Sequence, residues 1–280
     1  SVNKKILKGI ALFDPNNDGI TDWAYGTDDN TLEVSILDQI DVYDVGGKVR
    51  SAPAIIKFNE NEYLIIVPSK DDNMYGINPL TGNVQFIYET NGDVESPSFF
   101  EHLELGTVIV FGSSDGLLHM IDTNGNSVNE WPKNINGSII GSPVISDIDN
   151  DGFTDIIVGQ AEGKLYGFNE NGDMLNNFPL SIEFPFTSTP TIEDLDGDGD
   201  LEVLIGGSDG LYGYDIKYPS NSDNYYWSMY RGSLLRTGMY TSENQLDAEF
   251  NFKPNVFNIS SIYPNPFNPK TSINIDVPNN

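Results

Sequence analysis

A small residue followed closely by proline returns along this chain at near-constant spacing: Ser51-Ala-Pro53, Ser96-Pro97, Ser142-Pro143 and Thr189-Pro190, with the prolines 44, 46 and 47 residues apart. About 22 residues after each proline comes a second landmark: Met74-Tyr75-Gly76, Leu118-His119-Met120, Leu165-Tyr166-Gly167 or Leu211-Tyr212-Gly213. Between the landmarks lies an apolar run (Leu64–Val67, Val108–Phe111, Ile156–Val158 or Val203–Ile205) that ends in a turn. A chain with this period is built from supersecondary units that cannot bury an apolar face alone and must stack. Each unit reads as four strands: one after the proline, the apolar run, the Tyr-Gly strand, and a more polar strand such as Asn83–Tyr88, Ser127–Trp131 or Met174–Phe178. Four short strands per unit is the pattern of a propeller blade, so the prediction is an all-β fold, a β-propeller of four-stranded antiparallel blades.

Two units carry a nine-residue acidic loop between their first two strands: Asp147-Ile-Asp149-Asn-Asp151-Gly152-Phe153-Thr-Asp155 and Asp194-Leu-Asp196-Gly-Asp198-Gly199-Asp200-Leu-Glu202. A third copy, Asp14-Pro-Asn16-Asn-Asp18-Gly19-Ile20-Thr-Asp22, lies near the start. The first two begin four residues after their prolines, which aligns Ile10 with the proline position and defines a fifth, divergent unit. The propeller is thus expected over 1–240, with units at about 5–50, 51–95, 96–141, 142–187 and 188–240. So many like charges repel unless a cation lies among them. Hard oxygen donors at positions 1, 3, 5 and 9, with the backbone carbonyl of position 7 (Ile20, Phe153, Asp200), suit Ca²⁺, and glycine at position 6 permits the sharp turn. An acidic, Gly-rich surface turn is the plainer alternative; three loops in one register argue against it. Three calcium sites are predicted, in units one, four and five. Units two and three have lost the ligands: Lys57–Tyr63 is short, and Glu101–Leu105 lacks the central Asp-Gly.

The chain of 280 residues has 42 acidic and 14 basic side chains, a formal charge of −28. Phosphate binding needs clustered Lys and Arg, so no nucleic-acid partner is expected, and anionic membrane surfaces repel such a chain. The absence of cysteine excludes disulfides, thiolate zinc sites and a Cys nucleophile. No stretch approaches 18 apolar residues, so no membrane insertion is expected. Ser1-Val-Asn-Lys-Lys carries no apolar leader and reads as the interior of a longer precursor.

The combination of Ser-Pro, Asp-x-Asp-x-Asp-Gly-x-x-Asp, apolar strand, Gly and Leu-Tyr-Gly resembles the FG-GAP (VCBS-type, integrin-α-like) propeller repeat family over about residues 8–240. The resemblance implies calcium in the acidic loops and a propeller fold. Units one to three depart from the pattern. The turn Gly76-Ile-Asn-Pro-Leu-Thr-Gly82 also resembles quinoprotein repeats, but Asn83-Val-Gln-Phe stands where those carry Trp. Sialidase-type Ser-x-Asp-x-Gly-x-x-Trp turns are missing: Ser114-Asp-Gly and Ser208-Asp-Gly are spaced differently.

After Tyr240 the repeat stops, and 241–260 reads as a linker. Tyr263-Pro-Asn-Pro-Phe-Asn-Pro269 followed by Thr271-Ser-Ile273-Asn-Ile275 resembles the start of a type IX secretion C-terminal sorting domain, which implies export to a bacterial surface. The alternation Ile273, Ile275, Val277 predicts one half-buried strand, disordered or docked on the propeller as it stands. The aromatic segment Asn224–Gly232 with Arg236-Thr-Gly238 is expected to supply the last outer strand and plug an end; Tyr225, Tyr226, Trp227 and Tyr230 could alternatively stack on sugar rings. His119 occupies the slot of Tyr75, Tyr166 and Tyr212, a packing position, and His102 sits in a degenerate loop. No catalytic residue is assigned. The reading is a secreted or surface-displayed monomer, a calcium-binding binding or adhesion module whose partner is an extracellular glycan or surface protein. Its alternative is an accessory or catalytic propeller of a polysaccharide-degrading enzyme.

Overall fold

The computed structural model describes residues 6, 8–16, 18–219, 225–234 and 236–241, with backbone alone at 218–219, 225–226, 258–263 and 272–276. The first sheet holds β1 (Ile10–Phe13), β2 (Asp22–Gly26), β3 (Thr31–Ile36) and β4 (Gln39–Asp44). The second holds β5 (Ala54–Asn59), β6 (Glu62–Pro68), β7 (Asn73–Ile77) and β8 (Val84–Glu89). The third holds β9 (Ser98–His102), β10 (Gly106–Gly112), β11 (Leu117–Asp122) and β12 (Lys133–Asn134). The fourth holds β13 (Val144–Ser146), β14 (Asp155–Gln160), β15 (Lys164–Asn169) and β16 (Leu180–Ser181). In the fifth, β17 (Thr191–Glu193), β18 (Asp200–Gly206) and β19 (Leu211–Pro219) are the strands among the described residues. Sequential antiparallel pairing in every sheet matches the predicted β-propeller.

The second strands are apolar runs because they are covered on both faces: β6, β10 and β14 are buried almost throughout. Side chains interleave between consecutive sheets in three clusters. One joins the first and second sheets through Phe13, Leu32, Tyr63 and Tyr75. A larger one runs through the second, third and fourth around Phe99, Phe100 and Phe111. The last joins the fourth and fifth around Ile157, Phe186 and Val203. Two of the small residues before the prolines fasten neighbours: Ser96 Oγ accepts from Ala52 N at 2.9 Å, and Thr189 Oγ1 from Ser142 N at 3.0 Å.

Two fourth strands lie later than the sequence pattern suggests. Ser127–Trp131 and Met174–Phe178 form turns with one isolated bridge each, and pairing resumes at β12 and β16. The cause is the aromatic-proline pair. Pro132 and Pro179 offer no amide to a ladder, and the preceding rings turn inward. Trp131 is buried beside Phe168 and donates its Nε1–H to Glu170 O at 3.2 Å; Phe178 packs against the cluster between the fourth and fifth sheets.

The aromatic segment differs more. Among the described residues it adds no outer strand to the fifth sheet. Instead β20 (Tyr225–Trp227) pairs antiparallel with β13, and β21 (Met239–Thr241) pairs parallel with β5, both on innermost strands. Between them the chain bonds to two more first strands, Ile192 N to Ser228 O at 2.8 Å and Leu12 N to Thr237 O at 3.1 Å. Trp227 packs edge-on to Phe99 of the third sheet, at 5.1 Å between rings. The segment therefore fills the axis on which the five first strands converge. Trp227 is core rather than a sugar platform; the side chains of Tyr225 and Tyr226 lie outside the described residues. In the tail, β22 (Asn258–Tyr263) pairs antiparallel with β23 (Ser272–Asp276). The predicted strand at Ile273–Val277 is thus present over Ser272–Asp276, and its partner begins within the stretch read as linker. Its predicted half-burial, its docking and the proline turn between lie outside the described residues.

Candidate metal centres

The acidic loops join the first and second strands of the first, fourth and fifth sheets. In all three the backbone turn is drawn by its own carboxylates. Asp147 accepts from the amides of Asp151 and Gly152 at 3.1 and 3.0 Å, and Asp14 accepts from Asp18 and Gly19 at 3.2 and 2.9 Å. At position 5, Asp18, Asp151 and Asp198 each accept from the amide two residues on, at 2.7, 2.9 and 3.0 Å. Gly19, Gly152 and Gly199 take φ of +79°, +88° and +93° with open space where a Cβ would stand. Glycine is therefore needed for backbone conformation rather than for room.

Two of the three loops gather their carboxylates. Oxygens of Asp147, Asp149 and Asp155 lie within 4.8 Å of one another, as do those of Asp194, Asp196 and Glu202. The ninth-position acid closes each cluster by folding back on its loop: Asp155 accepts from Ile148 N at 2.9 Å and Glu202 from Leu195 N at 2.6 Å. Asp155 Oδ1, Asp149 Oδ1 and Glu202 Oε1 are buried with no hydrogen-bond partner among the described residues. Burial, against the pull of the Ile148 amide and helped by Asp149, Asp151 and Asp147, pushes the Asp155 carboxyl up to about 8. Burial, against the Leu195 amide and helped by Asp196, Asp215 and Asp194, raises Glu202 to about 7. Asp147, Asp149 and Asp196 are raised as well, burial being the largest cause in each. A group of buried carboxylates with unanswered lone pairs needs a proton or a cation. Asp151 and Asp198 stay outside the clusters; Ile20 and Phe153 present exposed apolar side chains, so there position 7 has only its backbone to offer, while the Asp200 carboxylate lies 3.7 Å from Lys217 Nζ.

Loop one folds alike but does not gather. Among the described residues no three of its acidic side chains converge as the other two sets do. Asn16 Nδ2 donates to Asp18 at 2.8 Å, and Asp22 accepts from Leu37 N, in the β3–β4 turn, at 3.2 Å. The reason is at position 2. Ile148 and Leu195 supply the amide that holds the ninth-position acid, whereas Pro15 has none. This departure was readable in the sequence, as was the neutral Asn16. What the sequence did not disclose is Lys217 on β19, whose Nζ lies 2.5 Å from Asp215, 3.7 Å from Asp200 and 4.0 Å from Asp198. It offsets part of the charge of the fifth-sheet loop.

Residues 147–205 match the FG-GAP-like repeat family profile. That stretch begins at Asp147, the first carboxylate of one cluster, and spans both. No curated protein matches the chain. Among solved structures, BamB from Moraxella catarrhalis is similar at a TM-score of 0.56 and 18% identity, over 80% of this chain and 64% of that one. BBS1N in complex with ARL6DN is similar at 0.53 and 16%, over 77% of this chain and 66% of that one. The chain thus spans less than two thirds of the length of either. At these identities the likeness concerns the fold.

Proposed function

We propose that this chain is a calcium-binding β-propeller that acts as a non-enzymatic binding or adhesion module, secreted or displayed on a bacterial surface, with calcium as a structural ion. The observation that carries the reading is the pair of carboxylate clusters in which Asp149 Oδ1, Asp155 Oδ1 and Glu202 Oε1 are buried with no hydrogen-bond partner among the described residues. All-oxygen donor sets without Cys or His favour a hard cation, and flexible loops with mixed carboxylate and carbonyl donors favour Ca²⁺ over the stricter octahedron of Mg²⁺. Asp147, Asp149 and Asp155 would hold one ion, Asp194, Asp196 and Glu202 the other, and the ion would neutralise charge that otherwise opposes folding. The first loop would be a weaker third site. Export rests on the resemblance of Tyr263–Ile275 to a secretion sorting segment. A non-enzymatic role is supported by the axis of the ring, where a substrate would be held, being filled by residues 225–234 and 236–241.

Titration calorimetry and thermal melts test the calcium reading. If each site binds with Kd of ~10⁻⁴ M, ~10⁻² M Ca²⁺ adds roughly 2.7 kcal/mol per site. Chelation is expected to lower Tm markedly, and Asp155→Asn and Glu202→Gln each to remove one binding event. An unchanged melt in excess chelator refutes structural calcium. A reducing-end assay on acidic polysaccharides tests the rest, because released product would make the chain an enzyme.

A further inference from the structure

The end of the propeller opposite the metal loops holds a separate concentration of polar chemistry. Each first strand starts at one end of the axis and runs toward its loop at the other, so the turns preceding these strands collect together. They wall a cavity of about 530 Å³ whose lining includes Lys8, Glu95, Ser142, Thr191, Tyr230 and Arg236. Its charge runs against the rest of the molecule: acids outnumber bases 42 to 14 in the chain, yet two bases and one acid line this cavity. Lys8 Nζ is engaged by Glu95 at 3.3 Å. Arg236 is pinned through its backbone, its carbonyl accepting from Arg231 at 2.8 Å, while its exposed guanidinium has no hydrogen bond or ion pair among the described residues. Ser142, 1% exposed, has a buried hydroxyl without a partner among the described residues.

We infer that this cavity binds an acidic saccharide, with Arg236 holding a sugar carboxylate. The guanidinium fork matches a carboxylate bidentately, and hydroxyl-lined walls beside Tyr230 suit a polyol ring. One unpaired cation in the cavity, among the described residues, selects a singly charged carboxylate over a dense polyanion such as a polyphosphate. The inference rests on the binding-module reading and names its ligand class and site. The test is calorimetry of the calcium-loaded chain with galacturonate oligosaccharides and their neutral galactose counterparts. The acidic ligand is expected to bind and the neutral one to bind at least about tenfold more weakly. Arg236→Gln is expected to lower acidic binding by about tenfold or more with Tm unchanged, Ser142→Ala to lower it less, and Lys57→Gln, on the second sheet, to leave it intact. Equal binding of both ligands, or acidic binding untouched by Arg236→Gln, overturns the site. Neutral-ligand binding that survives Arg236→Gln, with no acidic binding, overturns it while sparing the binding-module reading. No retention of any saccharide overturns both.

Discussion

His119 stands where sister strands carry tyrosine, and it is 3% exposed. Its ring stacks on Phe111 at 5.1 Å, and Nδ1 meets Tyr88 Oη at 3.1 Å, while Nε2 is buried without a partner. Burial, against the attraction of Asp115, pushes its pKa down to about 4 from the ordinary 6.5. The unfolded chain takes up a proton below pH 6.5 that the folded chain refuses, so stability is whole above that value and falls as pH drops toward 4. The loss approaches ~3 kcal/mol. His119→Phe is expected to flatten this acid limb in melts between pH 4 and 7 while changing stability little at pH 8. The packing role was legible from the repeat register; the refusal of a proton was not, because it depends on what surrounds the ring.

At the scale of single elements, the acidic loops show how one residue decides whether a shared turn becomes a site. Three loops have the same glycine conformation and the same position-5 hydrogen bond, yet only those with an amide at position 2 turn their last acid inward. Pro15→Ile is expected to return that amide to the first loop and draw Asp22 away from Leu37. A carboxylate–amide bond contributes roughly 1.5–3 kcal/mol, so, on the calcium reading proposed above, calorimetry should show the third binding event tightened by about tenfold or more, with the other two unchanged. If the third event is unmoved, position 2 does not control closure. The late fourth strands of the third and fourth sheets teach the same lesson from the other side. A polar fourth strand was read at Ser127–Trp131 and Met174–Phe178, but burial of the Trp131 and Phe178 rings against a neighbouring sheet outweighed local pairing.

For the molecule as a whole, the segment at the axis does what a disulfide cannot do in a chain without cysteine. Arg231, buried, donates to four carbonyls: Arg236 and Thr237 of its own segment at 2.8 and 2.9 Å, Ile10 of the first sheet at 2.6 Å and Pro53 beside the second at 3.1 Å. Arg231→Met would remove this donor from all four carbonyls; Thr237 O keeps Leu12 N, and each of the other three loses about 1–3 kcal/mol. The expected result is a loss of roughly 3–9 kcal/mol, with hydrogen exchange rising first at Ile55 and Leu12, whose amides bond to the same segment. Protection unchanged at both amides would show that the guanidinium does not hold the segment in place. The repeat period, the strand order within each sheet, the all-β class and the glycine turns were determined by sequence alone, since each depends on residues within about fifty positions that return in register. Where the aromatic segment went, which acidic loops gathered their carboxylates, and the cavity at the far end of the axis were decided by tertiary structure. Each of these depends on groups far apart in the chain meeting where the first strands or neighbouring sheets converge, and no local pattern records which unpaired edge or amide is nearest.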